Sequence, residues 1–390
     1  MKIRNSIVVL TSVGVAATLG FSGCSSTPPT DQAASEAVTG VDLSGVCPAT
    51  VKIQTDWNPE AEHGHLYEMF GKDAVIDSSA KTVSGKLYSG GRYTGVNLEV
   101  LSGGPAIGYQ SVSAQLYQDK SLYLGYVSTD ASILHSEKLP TIAVMAPLDK
   151  SPQSIMWDPA TYPKVKTVEQ LNSALKTSGG VIRYYPGAAY MAYLSGAGVV
   201  SPSVLDSGFD GTPAGFVAAK GKDAQQGFAS SDGWIYEHEV PAWDKPIAYQ
   251  LISDAGYPNY QGALSVRADA LKGDSPCLKK LVPVLQQADV DYFAQPKTAN
   301  ALIVKAVTQF NNGWIYSAGV AKFSVETMNK LGLASNGSNT TIGDIEPSRV
   351  KKILDIVEPI FTKAGSAPKA GLTATDLYTN EFIDTSIGIK

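Results

Sequence analysis

The chain has 390 residues, 44% of them hydrophobic and 17% charged, with a formal charge of −5. That composition suits a folded body large enough for two cores. Acidic side chains outnumber basic ones, 36 to 31, which argues against nucleic-acid and anionic-lipid partners.

The first 24 residues read as a targeting segment. Lys2 and Arg4 make a positive start, and Ile7 to Leu19 is an apolar run too short to span a bilayer comfortably. Phe21-Ser22-Gly23-Cys24 follows and resembles a bacterial lipoprotein box, in which the cysteine is lipidated and becomes the first residue. Phe21 stands where an aliphatic residue is usual, and a plain secretory signal is the alternative. Loss of this segment would leave 29 basic and 36 acidic side chains, a charge of −7. Residues 25–46, rich in Ser, Thr, Pro, Ala, Gln and Gly, read as a disordered tether reaching about 25 Å. Cys47 precedes the first strand and Cys277 starts a late helix. In an exported body they either pair, closing a very long loop, or remain two free buried thiols; both readings stay open.

Val51, Ile53 and Thr55 alternate with polar residues, so VKIQT reads as the first strand. Asp56 to Pro59 breaks it, and helical spacing resumes near Ala61 with Leu66, Met69 and Phe70. Residues 71–95 are punctuated by glycine and read as a hairpin or long loop. A strand at 96–101, a helix at 106–118, a strand at 121–127, a helix at 131–138 and a strand at 141–146 follow. Thr167-Val168-Glu169-Gln170 is a capping box opening a helix to 176. Around it lie strands at 154–157, 181–184, 223–229 and 247–252, with helices between them. After a strand at 262–266 the pattern is helical, at 278–293, 299–310, 325–331 and 349–361, and these helices are expected on the first sheet.

Alternating strands and helices predict an α/β fold of two lobes, each a mainly parallel sheet flanked by helices, with a cleft between them. The expected lobes are 47–146 with 257–390, and 147–256. In such sheets ligands bind at the carboxyl ends of the strands and between lobes.

The turns there carry the candidate chemistry. Trp57, Tyr67, Tyr184, Tyr185 and Trp234 could stack on a flat ring, while Asp56, Asp130 and Asp232 could accept hydrogen bonds from ring amines. His63 reads as a hydrogen-bonding residue. His63, His65, His135 and His238 show no zinc spacing, so neither metal nor cofactor is expected. Gly103 and Gly104 could present backbone amides to a ligand or simply end a strand. Gly187 and Ala188, with Arg183, could instead serve an anion. No nucleophile motif or phosphate loop stands out, so no catalytic residue is expected.

Asp56-Trp57-Asn58-Pro59, then His63, then Leu66-Tyr67, resembles the opening signature of solute-binding proteins of the thiamine-pyrimidine-precursor (NMT1/THI5-like) group. Val96 to Gly104, Lys150-Ser151-Pro152, Asp223 to Phe228 with Asp232 to Glu237, and Leu377 to Phe382 resemble later family segments in the same order. His65 replaces a family glycine, and 71–95 looks like an insertion. The resemblance implies a two-lobed periplasmic-binding-protein-like fold (type II); with the lipid-box leader, a monomer held at the outer face of a bacterial cell membrane is expected. It would deliver a small flat heteroaromatic, a thiamine-related pyrimidine, to ABC permease subunits. The alternatives are a nitrate-, sulfonate- or taurine-like anion, and a secreted enzyme using His63 as a base.

Overall fold

Val51 and Ile53 point into the core from β1 (Thr50–Gln54). The computed structural model describes Val38 and residues 40–390; the leader with Cys24, and most of the proposed tether, lie outside the described residues. A 3-10 turn (Ala61–His63) leads from β1 into the short helix α1 (Gly64–Glu68). The glycine-rich segment is a meander of β2 (Val75–Asp77), β3 (Thr82–Ser89) and β4 (Arg92–Leu101), so the strand expected at 96–101 is the second half of β4. The helix expected at 106–118 is broken in two. A 3-10 turn (Gly104–Ile107) stops at Gly108, and Ser111 then caps α2 (Val112–Gln118). Next come β5 (Leu124–Val127), α3 (Thr129–Leu134) and β6 (Thr141–Met145).

The chain then builds a second sheet from β7 (Gln153–Trp157), α4 (Val168–Ser178), β8 (Ile182–Arg183), α5 (Ala189–Gly196), β9 (Leu205–Asp206), α6 (Ala214–Ala218) and β10 (Ala224–Phe228). α7 (Asp232–Trp234) runs into a π-helical turn (Ile235–Glu239), and β11 (Ala248–Leu251) follows. Thr167 caps α4 by accepting from Gln170 N–H at 3.2 Å. The Gln170 side chain bonds Lys166 N–H instead of closing the reciprocal box. The return gives β12 (Ala263–Arg267) and the helices α8 (Leu271–Ala294), α9 (Lys297–Phe310), α10 (Ala318–Leu331) and α11 (Pro347–Lys363).

The first sheet has the order β2-β3-β4-β1-β5-β12-β6 and the second β11-β7-β10-β8-β9. Both are mixed, not mainly parallel. Parallel pairing holds for β4-β1-β5 and β10-β8-β9, whereas β12, β7 and the meander pair antiparallel. The cause is chain direction: β7 is the strand by which the chain enters the second sheet and β12 the one by which it re-enters the first, and the meander returns by tight turns. The C-terminal segment closes the β6 edge, with Leu377 and Thr379 bonding the Ala143 backbone.

Two apolar cores result. The first packs Leu98 and Val100 against Leu66, Leu281, Leu285 and Ile303. The second packs Ile155 and Trp157 against Leu171, Leu194 and the Val350, Ile353 and Val357 stripe of α11. The tail helices therefore do not all cover the first sheet, because α11 presents its 3-4 spaced stripe to α3 and α5. Cys47 and Cys277 form a disulfide across a sequence separation of 230. Among the described residues no helix is long and apolar enough to cross a membrane.

Candidate functional site

The parallel strands β4, β1 and β5 end side by side, so the loops that follow them share one edge of the first sheet. The loops after β8 and β10 face them from the second sheet. Between them lies a cavity of about 340 Å³. The first sheet's side contributes Asp56, Trp57, Glu60, Ser113, Tyr126 and Trp314; the second contributes Gln153, Tyr185, Phe209, Gln226, Phe228 and Asp232. A side chamber toward α5 adds Asp130, Gly187 and Phe361.

The loop after β1 is held tightly. Gly103 N–H bonds Trp57 carbonyl at 2.9 Å and Gly104 N–H bonds Asp56 carbonyl at 3.0 Å. A Cβ on Gly103 would lie 2.2 Å from Thr55 O, and Gly104 has φ +53. These glycines therefore serve close approach of two loops, and their amides are spent on the facing carbonyls rather than on a ligand. The result fixes Trp57, whose ring meets Trp314 edge-on at 5.9 Å.

Behind the cavity wall sits a polar chain. His63 is 2% exposed and its Nε2 lies 2.8 Å from Asp56 Oδ1. The His63 ring also packs edge-on against Tyr126. His65 links Tyr126 hydroxyl (3.1 Å) to Asp289 (3.4 Å). Burial, then the neighbouring His63, pushes His65 down to about 3, and burial holds Asp289 well above the carboxylate range. The two groups face each other at 3.4 Å, and burial shifts both toward their uncharged forms. His65, where the sequence departs from the family pattern, is a buried support for Tyr126, and neither histidine lines the cavity.

Of the other expected residues, Tyr185 lines the cavity, and its N–H and the Tyr190 hydroxyl both bond Gln226 Oε1. That leaves the Gln226 NH2 as the unengaged end of the amide. Asp130 is spent on Ser128, Tyr257 and Asn259 at the start of α3. Three expectations are corrected. Tyr67 is buried in the first core. Tyr184 packs against the second core. Trp234 packs on Gly319 and Phe323 of α10 and does not line the cavity. Arg183 is paired with Asp206 (2.7 Å) and Asp223, away from the cavity.

The sequence reading missed Glu60, Glu62, Ser113, Gln226 and Trp314. Gln226 is a polar residue inside a predicted strand, which is a usable signal; Glu60, in a polar turn, and Trp314, after a glycine turn between helices, give none. Burial, then repulsion from Glu62, Asp56 and Asp232, holds Glu60 well above the usual carboxylate range. Glu62 accepts from Ser230 Oγ across the two sheets, and burial raises it too. Burial pushes Asp232 up to about 7, against the Phe228 N–H bond at 2.6 Å and with repulsion from Glu62.

A pH dependence follows. Between about 4 and 7 the folded chain keeps an Asp232 proton that the unfolded chain has released, so this contribution favours the fold at low pH and is lost as pH rises through 7. The melting temperature of the ligand-free chain is expected to be higher at pH ~6 than at pH ~8, and Asp232→Asn should flatten the slope. Thermal scans across that range check it; an equal slope in the variant would remove Asp232 as the source.

The chain matches no known family model and no curated protein sequence. Its structure is similar to the aliphatic sulphonate binding protein SsuA from Escherichia coli, with a TM-score of 0.53 at 14% identity over 83% of this chain and 90% of that one. It is also similar to SsuA from Xanthomonas axonopodis bound to MOPS (TM-score 0.50, 13%, covering 85% and 99%). The nitrate-binding protein NrtA from Synechocystis gives a TM-score of 0.50 at 13% identity, covering 86% and 87%. Two mixed sheets joined by crossing strands, with the cavity between them, give this chain the fold of the periplasmic binding proteins.

Proposed function

We propose that this protein is the solute-binding component of an ABC-type importer. Residues 47–146 with 257–390 act as one lobe and 147–256 as the other, and closure buries a small flat heteroaromatic bearing amino groups, a thiamine-related pyrimidine, between them. The protein works as a monomer outside the cytoplasm, held at the membrane by lipid on Cys24, and hands its ligand to the permease. No chemistry is done on the ligand.

The observation that carries this reading is the cavity's pairing of aromatic faces with unengaged polar atoms. Trp57, Trp314, Tyr185 and Phe209 come from both sheets. Trp314 Nε1, Tyr185 hydroxyl and Ser113 Oγ are buried without a partner among the described residues. Such atoms cost free energy unless something bonds them, and a ring with both nitrogens and amino groups offers acceptors and donors at once.

The solved relatives named for sulfonate and nitrate favour an anion as the second reading. Against it, among the described residues no Lys or Arg lines the cavity, whereas Asp56, Glu60 and Asp232 do.

Native mass spectrometry of the purified chain tests the reading through any co-purified ligand. A ring compound is expected; taurine, a sulfonate or nitrate would overturn the ligand choice. For that ring compound, Trp57→Ala should weaken binding at least about tenfold, roughly 1.4 kcal/mol. Calorimetry giving unchanged affinity with an intact fold would take Trp57 out of the site.

A further inference from the structure

Resting on the ring-binding reading above, we infer that the ligand carries a full positive charge on an N–H-bearing group, an amidinium or protonated amine, held by Glu60 and Asp232 from opposite sides of the cavity. Asp56, Glu60 and Asp232 line the cavity and Glu62 lies beside them. The charged neighbours acting on Glu60 and Asp232 are all acids: Glu62, Asp56 and Asp232 on the one, Glu62 on the other. The Glu60 side chain has no hydrogen-bond or ion-pair partner among the described residues.

A crowd of carboxylates is not by itself a binding site. Here a second observation points to a ligand. Ser113 is 1% exposed, lines the same cavity and, among the described residues, leaves its Oγ without a partner. That oxygen can accept from a ligand N–H. The aromatic faces of Trp57 and Trp314 add the quadrupole attraction that a cation feels and an anion does not.

The arrangement also explains how such a ligand would close the lobes. Glu60 and Glu62 stand on one sheet's loops, Asp232 on the other's. In the empty cleft burial and mutual repulsion favour keeping protons on these acids; a bound cation favours their ionised forms and draws both lobes onto itself. A neutral ring would stack but leave the acids uncompensated, and an anion would add to the repulsion.

A charge series at constant ring shape tests this. Benzamidine, benzamide and benzoate are titrated calorimetrically into the full-length chain near neutral pH. Benzamidine is expected to bind at least about tenfold more tightly than benzamide, with benzoate weakest. Glu60→Gln and Asp232→Asn, each checked for an intact fold, should each bring benzamidine down toward benzamide. Equal affinities for benzamidine and benzamide, or a preference unmoved in both variants, would overturn the charge assignment and leave ring binding standing. Tighter binding of benzoate would overturn it in favour of an anion, and no binding of any probe would overturn both readings.

Discussion

Replacing Cys47 and Cys277 together by serine is expected to cost about 2–5 kcal/mol of stability, measured by urea denaturation. The disulfide ties residues separated by 230 positions. Chain-entropy reasoning gives a loop of that length about 5 kcal/mol, an upper figure because the unfolded chain keeps residual structure. The bond does not act alone at this junction. Leu43 is fully buried and its N–H bonds Thr94 carbonyl, while Lys280 Nζ bonds Asp42 carbonyl. The double variant should therefore keep its fold but lose the anchoring of residues 40–47 on α8, so limited proteolysis should cut there sooner. An unchanged urea midpoint would mean that these neighbouring contacts hold the junction without the bond. Because the pair closes the fold across two distant segments, the protein is suited to an oxidising compartment.

Gly103→Ala is expected to cost about 2–4 kcal/mol and to lower ring affinity as well. The added Cβ would sit 2.2 Å from Thr55 O and 2.5 Å from Asp56 C, and both are backbone atoms that cannot swing aside. Relieving the clash means separating two loops. That strains the bonds from Gly103 and Gly104 to the Trp57 and Asp56 carbonyls and moves the Trp57 ring. Gly108→Ala is the comparison. It lies at φ +61 with open space around its Cβ, so only the left-handed backbone costs it, about 1 kcal/mol. Thermal unfolding and ring-probe titration of both variants check the contrast; equal costs would show that loop approach at Gly103 does not set the site.

Much of the fold was legible because core periodicity is local. Val51 and Ile53 announced β1, and the Thr167 cap announced α4 within a residue. The meander was harder. Its glycines at 85, 90, 91 and 95 read as punctuation, yet Gly90 and Gly91 make one tight turn while Gly85 lies inside β3. Strand direction was not legible at all, since alternation along a strand is the same whichever way its neighbour runs. Nor was the break at Gly108 and Tyr109, both at positive φ, inside what spaces as one helix.

The site divided along the same line. Asp56, Trp57, Tyr185 and Asp232 were placed by position alone, because they follow strands whose ends must share an edge. Tyr67, Tyr184 and Trp234 have the same residue chemistry and similar positions, but helix phase turned them into cores or onto α10. His65 shows the limit most sharply. Its identity was plain, yet its role as a buried neutral support behind Tyr126 depends on Asp289, which lies more than two hundred residues away.

By itself, then, the sequence determined that alternating strands and helices make two layered lobes, that their turns gather aromatics and acids, and that no phosphate or nucleophile motif is present. Those properties are written in neighbouring residues, where spacing and side-chain chemistry act over a few ångströms. The tertiary structure alone decided which acids meet. Glu60 and Asp232 come from different sheets, and only the crossing between the two sheets brings them to one cavity, with Glu62 beside them. Their mutual repulsion, and the positive charge it invites, is a property of that convergence and of no single stretch of chain.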